Sequence, residues 1–288
     1  MNNNIQCSIE SSTTSMNLNS AADGIYLVPE LEGLVGLPEI RTTSGVNAGY
    51  DGGWTSAQNY DARLIAIRGV IASRDVAQVE AQRRKLASLL GQGRKEQLTL
   101  RFTTEAGKAY TVIVRTISCE MALQRVLNKQ DFLIQLRADD PLIYDDGASG
   151  GTEAGLRVQQ ALGGFEINFG LPLAISGSSD ATVVENGAEP VYPVIKLYGP
   201  LHSPTVVNMT TNQQMQIIAD LDETHGTIVI DSQARTITLN GADIYHLKTE
   251  ESEFPVLAPG ENRMYLTSAT TSDTGYAEVK FKQGYLSI

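Results

Sequence analysis

The chain has 288 residues, of which 42% are hydrophobic and 19% are charged. This is the composition of a globular protein and excludes general disorder, and the length favours two domains. The formal net charge of −11 would repel phosphate backbones, so a specific nucleic-acid-binding protein is not expected.

Membrane insertion and secretion are also not expected. The sequence shows no apolar run near the roughly 18 residues that a membrane span needs, and residues 1–20 are rich in Asn, Ser and Thr without the pattern of a secretory signal. The two cysteines, Cys7 and Cys119, fit a reducing compartment, and nothing supports a bridge between them. We therefore expect synthesis in a cytoplasm.

The first half of the chain predicts an antiparallel sheet with one helix. Ser73 or Asp75 is the candidate N-cap, and Asp75 has capping-box spacing to Gln78. Apolar residues then recur at helical spacing from Val76 to Leu90, and glycines at 91 and 93 end the run. Alternating apolar residues predict strands at Arg63–Ile71, Gln97–Thr103, Lys108–Cys119 and Gln130–Arg137. This pattern is typical of an α+β domain.

A basic cluster lies on and just after the predicted helix and is interpreted as the solvated face and positive end of that helix. It comprises Arg83, Arg84, Lys85, Arg94 and Lys95.

A glycine-rich stretch separates the two halves. It predicts a linker at about 145–164, between an N-terminal domain at 1–144 and a C-terminal domain at 145–288. The apolar segment Phe165–Ile175 is interpreted as a strand that links the domains.

The second half predicts a β-sandwich. Thr227–Asp231 and Arg235–Leu239 alternate as the two strands of a hairpin, and Asn240-Gly241 favours a tight reversal into a strand at Asp243–Leu247. Further strands are predicted at Pro193–Tyr198, Gln214–Ile218, Arg263–Thr267 and Ala277–Phe281. Short strands at this spacing are typical of a sandwich, so the fold as a whole is expected to be mainly β.

The sequence does not predict a catalytic, cofactor or metal site. Its three histidines, His202, His225 and His246, do not have metal-ligand spacing, and His246 is expected to be half-buried on a strand. Several carboxylates occur in pairs and could serve a polysaccharide hydrolase, but acidic residues are also common in exposed turns. The paired carboxylates are Asp139-Asp140, Asp145-Asp146, Asp220, Asp222, Glu250 and Glu251. We expect a protein that is not an enzyme.

Aromatic residues gather in one glycine-rich region. Trp54, with Tyr50 and Tyr60 near it, could form a platform on which a sugar stacks, or an anchor in a protein interface. Because Trp and Tyr are enriched at protein contacts, these three residues are predicted to lie at an oligomer interface.

Three patches resemble the distal tail proteins (the Dit family) of long-tailed bacteriophages. The first comprises Gly36-Leu37-Pro38, Arg41, Gly49-Tyr50-Asp51-Gly52-Gly53-Trp54, Tyr60-Asp61-Ala62-Arg63 and Ile65 to Gly69. The second is the run from Phe132 to Tyr144, which includes Asp140-Pro141. The third includes Asn186-Gly187, Pro193 to Pro200, Asn208, Asn240-Gly241 and Pro259-Gly260, and is similar to the galectin-like C-terminal domain of that family.

The resemblance implies a homo-hexameric ring at the tail tip of the virion, formed by the N-terminal domains. The ring would join the tail tube protein to a tail-tip or tail-associated protein, and could hold receptor-binding proteins. DNA would only pass through its lumen. Edge strands and the hairpin region at about Arg41 to Tyr60 offer material for such a cyclic contact.

A carbohydrate-binding β-sandwich, such as a host-surface adhesin, is the alternative. A galectin sugar site would need a His, Asn and Arg cluster on adjacent strands. His202-Ser203-Pro204 followed by Asn208 does not reproduce that cluster, and fold similarity alone does not carry function.

Overall fold

The computed structural model describes residues 6–22, 24–104, 106–122, 128–146, 156–159, 180–187, 189–222, 226–270 and 273–288. The chain forms two compact units: unit 1 contains residues 1–150 and 285–288, and unit 2 contains residues 151–284. Within the described residues, no helix is long and apolar enough to cross a membrane. The predicted strand at Phe165–Ile175, most of the predicted linker, and His225 lie outside the described residues.

Unit 1 is an antiparallel sheet with one helix, as predicted. Its main sheet has the strand order β2-β1-β9-β10-β11-β8-β3, and β12 pairs with β10. The helix α1 spans Val76–Gln92. The strands are β1 (Gln6–Glu10), β2 (Ser15–Asn17), β3 (Ile25–Glu32), β4 (Ile40–Arg41), β5 (Ser44–Val46), β6 (Gly53–Thr55), β7 (Asn59–Tyr60), β8 (Arg63–Ala72), β9 (Leu98–Thr103), β10 (Ala109–Glu120), β11 (Lys129–Ala138) and β12 (Ile143–Asp145).

The core of unit 1 follows the alternation of its strands. Ile65 and Ile67 of β8 lie opposite Leu136 and Ile134 of β11, and all four side chains are buried. Because successive side chains of a strand point to opposite faces, this register directs one apolar face of the sheet into the core.

Helix α1 covers part of this core with the apolar stripe that the sequence predicted. The buried side chains are Val79, Leu86, Leu89 and Leu90. The Ala77 amide donates to Asp75 Oδ1 at 2.9 Å, which confirms Asp75 as the N-cap.

The predicted capping box, however, does not form. The Ser73 hydroxyl donates to Gln78 Oε1 at 2.5 Å and accepts a hydrogen bond from the Asp75 amide. Ser73 therefore bonds to both the Asp75 amide and the Gln78 side chain, which a capping box would have bonded to each other. Gly91 lies inside the helix, and Gly93 is the C-cap in an αR conformation.

Unit 2 is a β-sandwich. One sheet has the order β13-β24-β15-β20-β21-β22, the other has the order β14-β23-β17-β18, and β16 pairs with β19. The strands are β13 (Leu156–Gln159), β14 (Asp180–Glu185), β15 (Val194–Tyr198), β16 (Leu201–His202), β17 (Thr205–Asn208), β18 (Gln213–Gln216), β19 (Asp220–Leu221), β20 (Thr227–Asp231), β21 (Thr236–Leu239), β22 (Ala242–Asp243), β23 (Gly260–Thr267) and β24 (Tyr276–Lys280). A last strand, β25 (Gly284–Tyr285), lies where the chain passes back to unit 1.

Each sheet of unit 2 buries one face. Ile195 and Ile228 are fully buried in the first sheet, and Met264 and Leu266 are fully buried in the second. Sheets that each present one apolar face pack as the two layers of a sandwich.

The hairpin predicted for β20 and β21 is present. The reversal that follows it has positive φ at Asn240 (51°) and Gly241 (84°), as a tight turn requires. The predicted strand at Asp243–Leu247 is wrong, because β22 ends at Asp243 and a short 3-10 helix, Tyr245–Leu247, follows. The Asp243 carboxylate accepts a hydrogen bond from the Tyr245 amide at 2.9 Å, which stabilises a turn in place of a continued ladder.

Candidate assembly surface

The most exposed feature of unit 1 is a two-stranded hairpin between β3 and β8, here called the arm (residues 39–61). Its base is the pair β4 and β7, and its outer part is the pair β5 and β6. From Glu39 to Asn59 every residue is exposed except Gly45 and Asn47, which are half-buried. The exposed apolar side chains of the arm are Ile40, Val46, Tyr50 and Trp54.

Trp54 lies in the middle of the arm, directly opposite Gly45. A Cβ atom built on Gly45 would come within 2.8 Å of the indole ring, so the ring packs against the glycine backbone. The indole is still 51% exposed. The arm therefore presents its largest apolar side chain to whatever lies beside it.

The tip of the arm presents Tyr50 and Asp51 together. The chain reverses through Gly49 and Gly52, whose φ angles of 88° and 100° favour glycine, and the Asn47 amide donates to the Gly52 carbonyl at 3.1 Å. Tyr50 is 71% exposed and Asp51 is also exposed.

Tyr60 lies at the base of the arm, half-buried and opposite Ile40. The three aromatic residues predicted for an oligomer interface thus belong to one hairpin, at its tip, middle and base. Their contact with another copy of the chain stays a prediction.

A buried arginine anchors the base of the arm. Arg63 is 2% exposed, and its guanidinium donates to the backbone carbonyls of Gly33 (2.6 Å), Gly36 (3.1 Å), Pro141 (2.8 Å) and Leu286 (2.6 Å). Burial lowers the pKa of Arg63 below its ordinary value. One side chain thus joins the segment before the arm, the turn after β11 and the C-terminal residues of unit 1.

The Asp140-Pro141 turn is shaped by its own side chain. Asp140 Oδ1 accepts the Leu142 amide at 3.0 Å, and Asp140 Oδ2 accepts the Tyr144 hydroxyl at 2.5 Å. These bonds hold the turn in the geometry that directs the Pro141 carbonyl to Arg63. The sequence resemblance included Arg63 and this turn but did not indicate that they meet.

In unit 2, Asn208 has a structural role that leaves no group for a sugar. Its side chain is fully buried, its Nδ2 donates to the Val256 carbonyl (2.8 Å) and to Asn262 Oδ1 (3.2 Å), and its Oδ1 accepts from the Thr210 amide (3.0 Å). The pair Asn208 and Asn262 therefore holds the loop before β23 in place.

A second polar cluster in unit 2 joins His202, Ser268 and Asp273. The Asp273 carboxylate is buried and accepts from the His202 amide at 2.8 Å and from the Ser268 hydroxyl, while His202 Nδ1 lies 3.0 Å from Asp273 Oδ1. Burial alone would raise the pKa of Asp273, but these hydrogen bonds and the nearby imidazole outweigh it and lower the pKa. His246, which was expected to be half-buried on a strand, is exposed on the 3-10 helix that replaces that strand.

Several of the paired carboxylates are engaged in structural contacts. Asp139 lies 3.0 Å from the Arg137 guanidinium and 3.7 Å from that of Arg115. The buried Asp146 is paired with Arg101. Among the described residues, no group of three His, Cys, Asp or Glu side chains could hold a metal ion. Unit 1 therefore offers an exposed hairpin whose base is anchored by Arg63.

Two family models match the chain. Residues 34–138 match the phage tail protein RIFT-related domain, and residues 186–285 match the C-terminal domain of the siphovirus-type tail component. The two matches together cover more than two thirds of the chain. No curated protein matches it.

Solved structures of phage tail components share the fold. The structure described as SPP1 Dit (gp 19.1), a paradigm of the hub adsorption apparatus in phages that infect Gram-positive bacteria, has a TM-score of 0.68 at 15% identity, covering 96% of this chain and 98% of that one. Two structures of the phage P2 baseplate in its activated conformation, with Ca and with Sr, have TM-scores of 0.55 and 0.53 at 10% identity, each covering 99% of both chains.

With one family model on each unit and the fold shared along nearly the whole length, the chain belongs to the distal tail proteins of siphoviruses. Its role is structural, in the tail of the virion.

Proposed function

We propose that this protein assembles into a homo-hexameric ring that serves as the hub of the tail tip. Unit 1 forms the ring, and unit 2 is the platform on which other tail proteins dock. The ring joins the tail tube protein to a tail-tip or tail-associated protein and offers attachment to receptor-binding proteins. The protein acts without catalysis and is made in the cytoplasm of the host bacterium.

The observation that carries this proposal is the exposed arm. An isolated two-stranded hairpin is only marginally stable in water, yet this one exposes Ile40, Val46, Tyr50 and Trp54. Covering these side chains would stabilise both the arm and the contact, at roughly 25 cal/mol for each Å² of apolar surface buried. A hairpin that reaches a different patch on the next copy makes a head-to-tail contact, and such contacts form a ring when the rotation from copy to copy closes.

Two further observations support the hub role. The solved relatives are described as a hub adsorption apparatus and as a baseplate, both of them tail-tip assemblies. The net charge of −11 suits a ring through which DNA passes, because like charges repel and the passage would not retain the DNA.

The change Trp54→Ala tests the proposal. We expect the variant to fold as the wild type does, because the indole packs only on an exposed hairpin, and to form fewer hexamers, because an apolar anchor is lost. Sedimentation of the purified full chain measures the hexamer fraction against the 31.1 kDa monomer.

The matched control is Tyr192→Ala, which removes an aromatic side chain of similar exposure, 46% against 51%, from unit 2. Equal hexamer fractions for Trp54→Ala and the wild type would remove Trp54 from the ring contact. A wild-type chain that sediments as a monomer at every concentration would count against a ring formed by this chain alone.

A further inference from the structure

A groove in unit 1 lies between α1 and β10 and combines a basic rim with an apolar floor. Its volume is about 830 Å³, within the range of binding pockets. Arg83, Arg84 and Arg94 line its helix side, and Ile117 and Met121 line its strand side. Three of the five residues in the basic cluster, which the sequence analysis interpreted as a solvated helix face, therefore line a concave surface.

The local structure keeps this groove open and its groups available. The β10–β11 register shifts between Thr116 and Ser118, and the intervening Ile117 is 53% exposed. The Thr116 Oγ1 atom, on the wall of the groove, is buried and has no hydrogen-bond partner among the described residues. A bulge re-aims side chains, and here the strand side of the groove presents an exposed apolar side chain.

The charge of the groove contrasts with that of the chain. Arg84 pairs with Glu80 at 3.2 Å, but in the described part of the chain neither Arg83 nor Arg94 has an ion pair, while the whole chain carries a net charge of −11. The groove therefore favours an acidic occupant that also has an apolar group to place on the floor.

The tip of the arm has this combination. Tyr50 provides a large, rigid side chain suited to an apolar floor with arginines beside it, and Asp51 provides the anion for the rim. In its own chain Tyr50 is 71% exposed, so the tip does not fill the groove of the protomer that carries it. The ten residues on each side of the hairpin span at most roughly 33 Å at the rise of a β-strand, which is comparable to the roughly 30 Å diameter of a small domain.

We propose that the groove between α1 and β10 receives the tip of the arm from a second copy of this chain, with Tyr50 on the apolar floor and Asp51 paired with Arg83 or Arg94. Each protomer then donates one arm and accepts one, and the contact repeats around the assembly. This inference rests on the proposed ring, since it names the surface that the arm contacts.

Photo-crosslinking of the full chain tests the inference. Benzoylphenylalanine replaces Tyr50, which keeps an aromatic side chain at the tip, and the purified protein is irradiated at high concentration. We expect a covalent dimer whose crosslinked peptides contain residues 83–94 or 116–121. Benzoylphenylalanine at Tyr192, an exposed site of unit 2, is the control and should not crosslink to the groove.

Charge reversal provides a second measurement. In the crosslinking background, Arg83→Glu with Arg94→Glu should lower the dimer yield about tenfold, because the rim would then repel Asp51. Arg74→Glu with Lys108→Glu changes the net charge equally on exposed residues of unit 1 that do not line the groove, and should leave the yield unchanged. Circular dichroism confirms that each variant is folded.

The inference and the ring can fail separately. Closed rings seen by microscopy with crosslinks outside the groove, or with no intermolecular crosslink, would overturn the inference and leave the ring. Groove crosslinks in assemblies that are not hexamers would support the inference and overturn the number of subunits. A dimer yield unaffected by Arg83→Glu with Arg94→Glu would overturn the role of the basic rim.

Discussion

At the scale of single residues, unit 1 depends on a buried cation, Arg63, whose hydrogen bonds in the described part of the chain all go to backbone carbonyls. The four carbonyls that accept from Arg63 belong to Gly33, Gly36, Pro141 and Leu286, so one guanidinium satisfies backbone groups from three distant segments. Replacing Arg63 should lower the free energy of unfolding, because each buried carbonyl that loses its donor remains desolvated without a hydrogen bond.

The change Arg63→Met should destabilise unit 1 by about 3 kcal/mol, because it retains the apolar stem but leaves these carbonyls without a donor. Urea unfolding followed by circular dichroism measures the loss. The control is Arg68→Met on the same strand, whose ion pair with Glu32 is 3.8 Å long and exposed; its cost should stay below roughly 1 kcal/mol. A similar cost for both changes would contradict the anchoring role of Arg63.

The Asp273 cluster predicts an acid-sensitive contribution to the stability of unit 2. The pKa of Asp273 in the folded protein lies below its ordinary value of 3.8. The ionised carboxylate therefore stabilises the fold above that ordinary pKa, and this contribution is lost as the pH falls through the lower, folded-state pKa.

Thermal unfolding from pH 7 down to pH 2.5 tests this prediction in the wild type and in Asp273→Asn. We expect the variant to be less stable at pH 7 and the difference between the two proteins to shrink below about pH 4. A difference that stays constant over the whole range would show that ionisation of Asp273 contributes nothing.

At the scale of elements, the alternation of apolar residues was sufficient to predict the long strands and the helix. The pattern at Ile65, Ile67 and Ile71 and the stripe from Val79 to Leu90 depend on local spacing, which a sequence displays directly. The Asn240-Gly241 turn was also predictable, because few residues tolerate positive φ.

Other features could not be predicted, because they depend on competition between nearby polar groups or on contacts between residues far apart in the sequence. Gln78 bonds to Ser73 instead of completing a capping box, and the Asp243 side chain ends β22 early. In both places, two polar groups near each other in the sequence compete for the same hydrogen bond, and the sequence does not show which of them forms it. The partners of Arg63 include Leu286, 223 residues away, and no local pattern reports such a contact.

The strands of the arm are too short to display alternation, so the sequence indicated a turn-rich hairpin without its pairing. The structure pairs Gly45 with Trp54, and this pair makes a prediction of its own. Because a Cβ at Gly45 would lie 2.8 Å from the indole, Gly45→Ala should displace the Trp54 side chain from its position against the Gly45 backbone.

Fluorescence measures this directly, since Trp54 is the single tryptophan of the chain. We expect the emission of Gly45→Ala to shift and its self-association to fall. Gly91→Ala is the control, because a Cβ at that helical position meets nothing within 4 Å, and its emission should match the wild type. An unchanged emission of Gly45→Ala would contradict the packing of the indole on Gly45.

At the scale of the whole molecule, the two units of this tail protein offer different surfaces. Unit 1 carries the arm and the basic groove, which are candidates for contact between copies. Unit 2 is a sandwich whose buried polar groups, Asn208 and Asp273 among them, hold its own loops, and we propose its outer surface as the docking platform. The proposed ring contact would use surfaces that are exposed in the single chain; the sequence indicated the aromatic residues of the arm, whereas the groove is formed by residues that only the fold brings together.

Negative-stain electron microscopy of the purified full chain over a range of concentrations tests the central claim most directly. We predict class averages of a closed sixfold ring with a central opening, in a fraction that grows with concentration. Particles that remain single at every concentration, or that form open chains without closure, would contradict a hub ring formed by this protein.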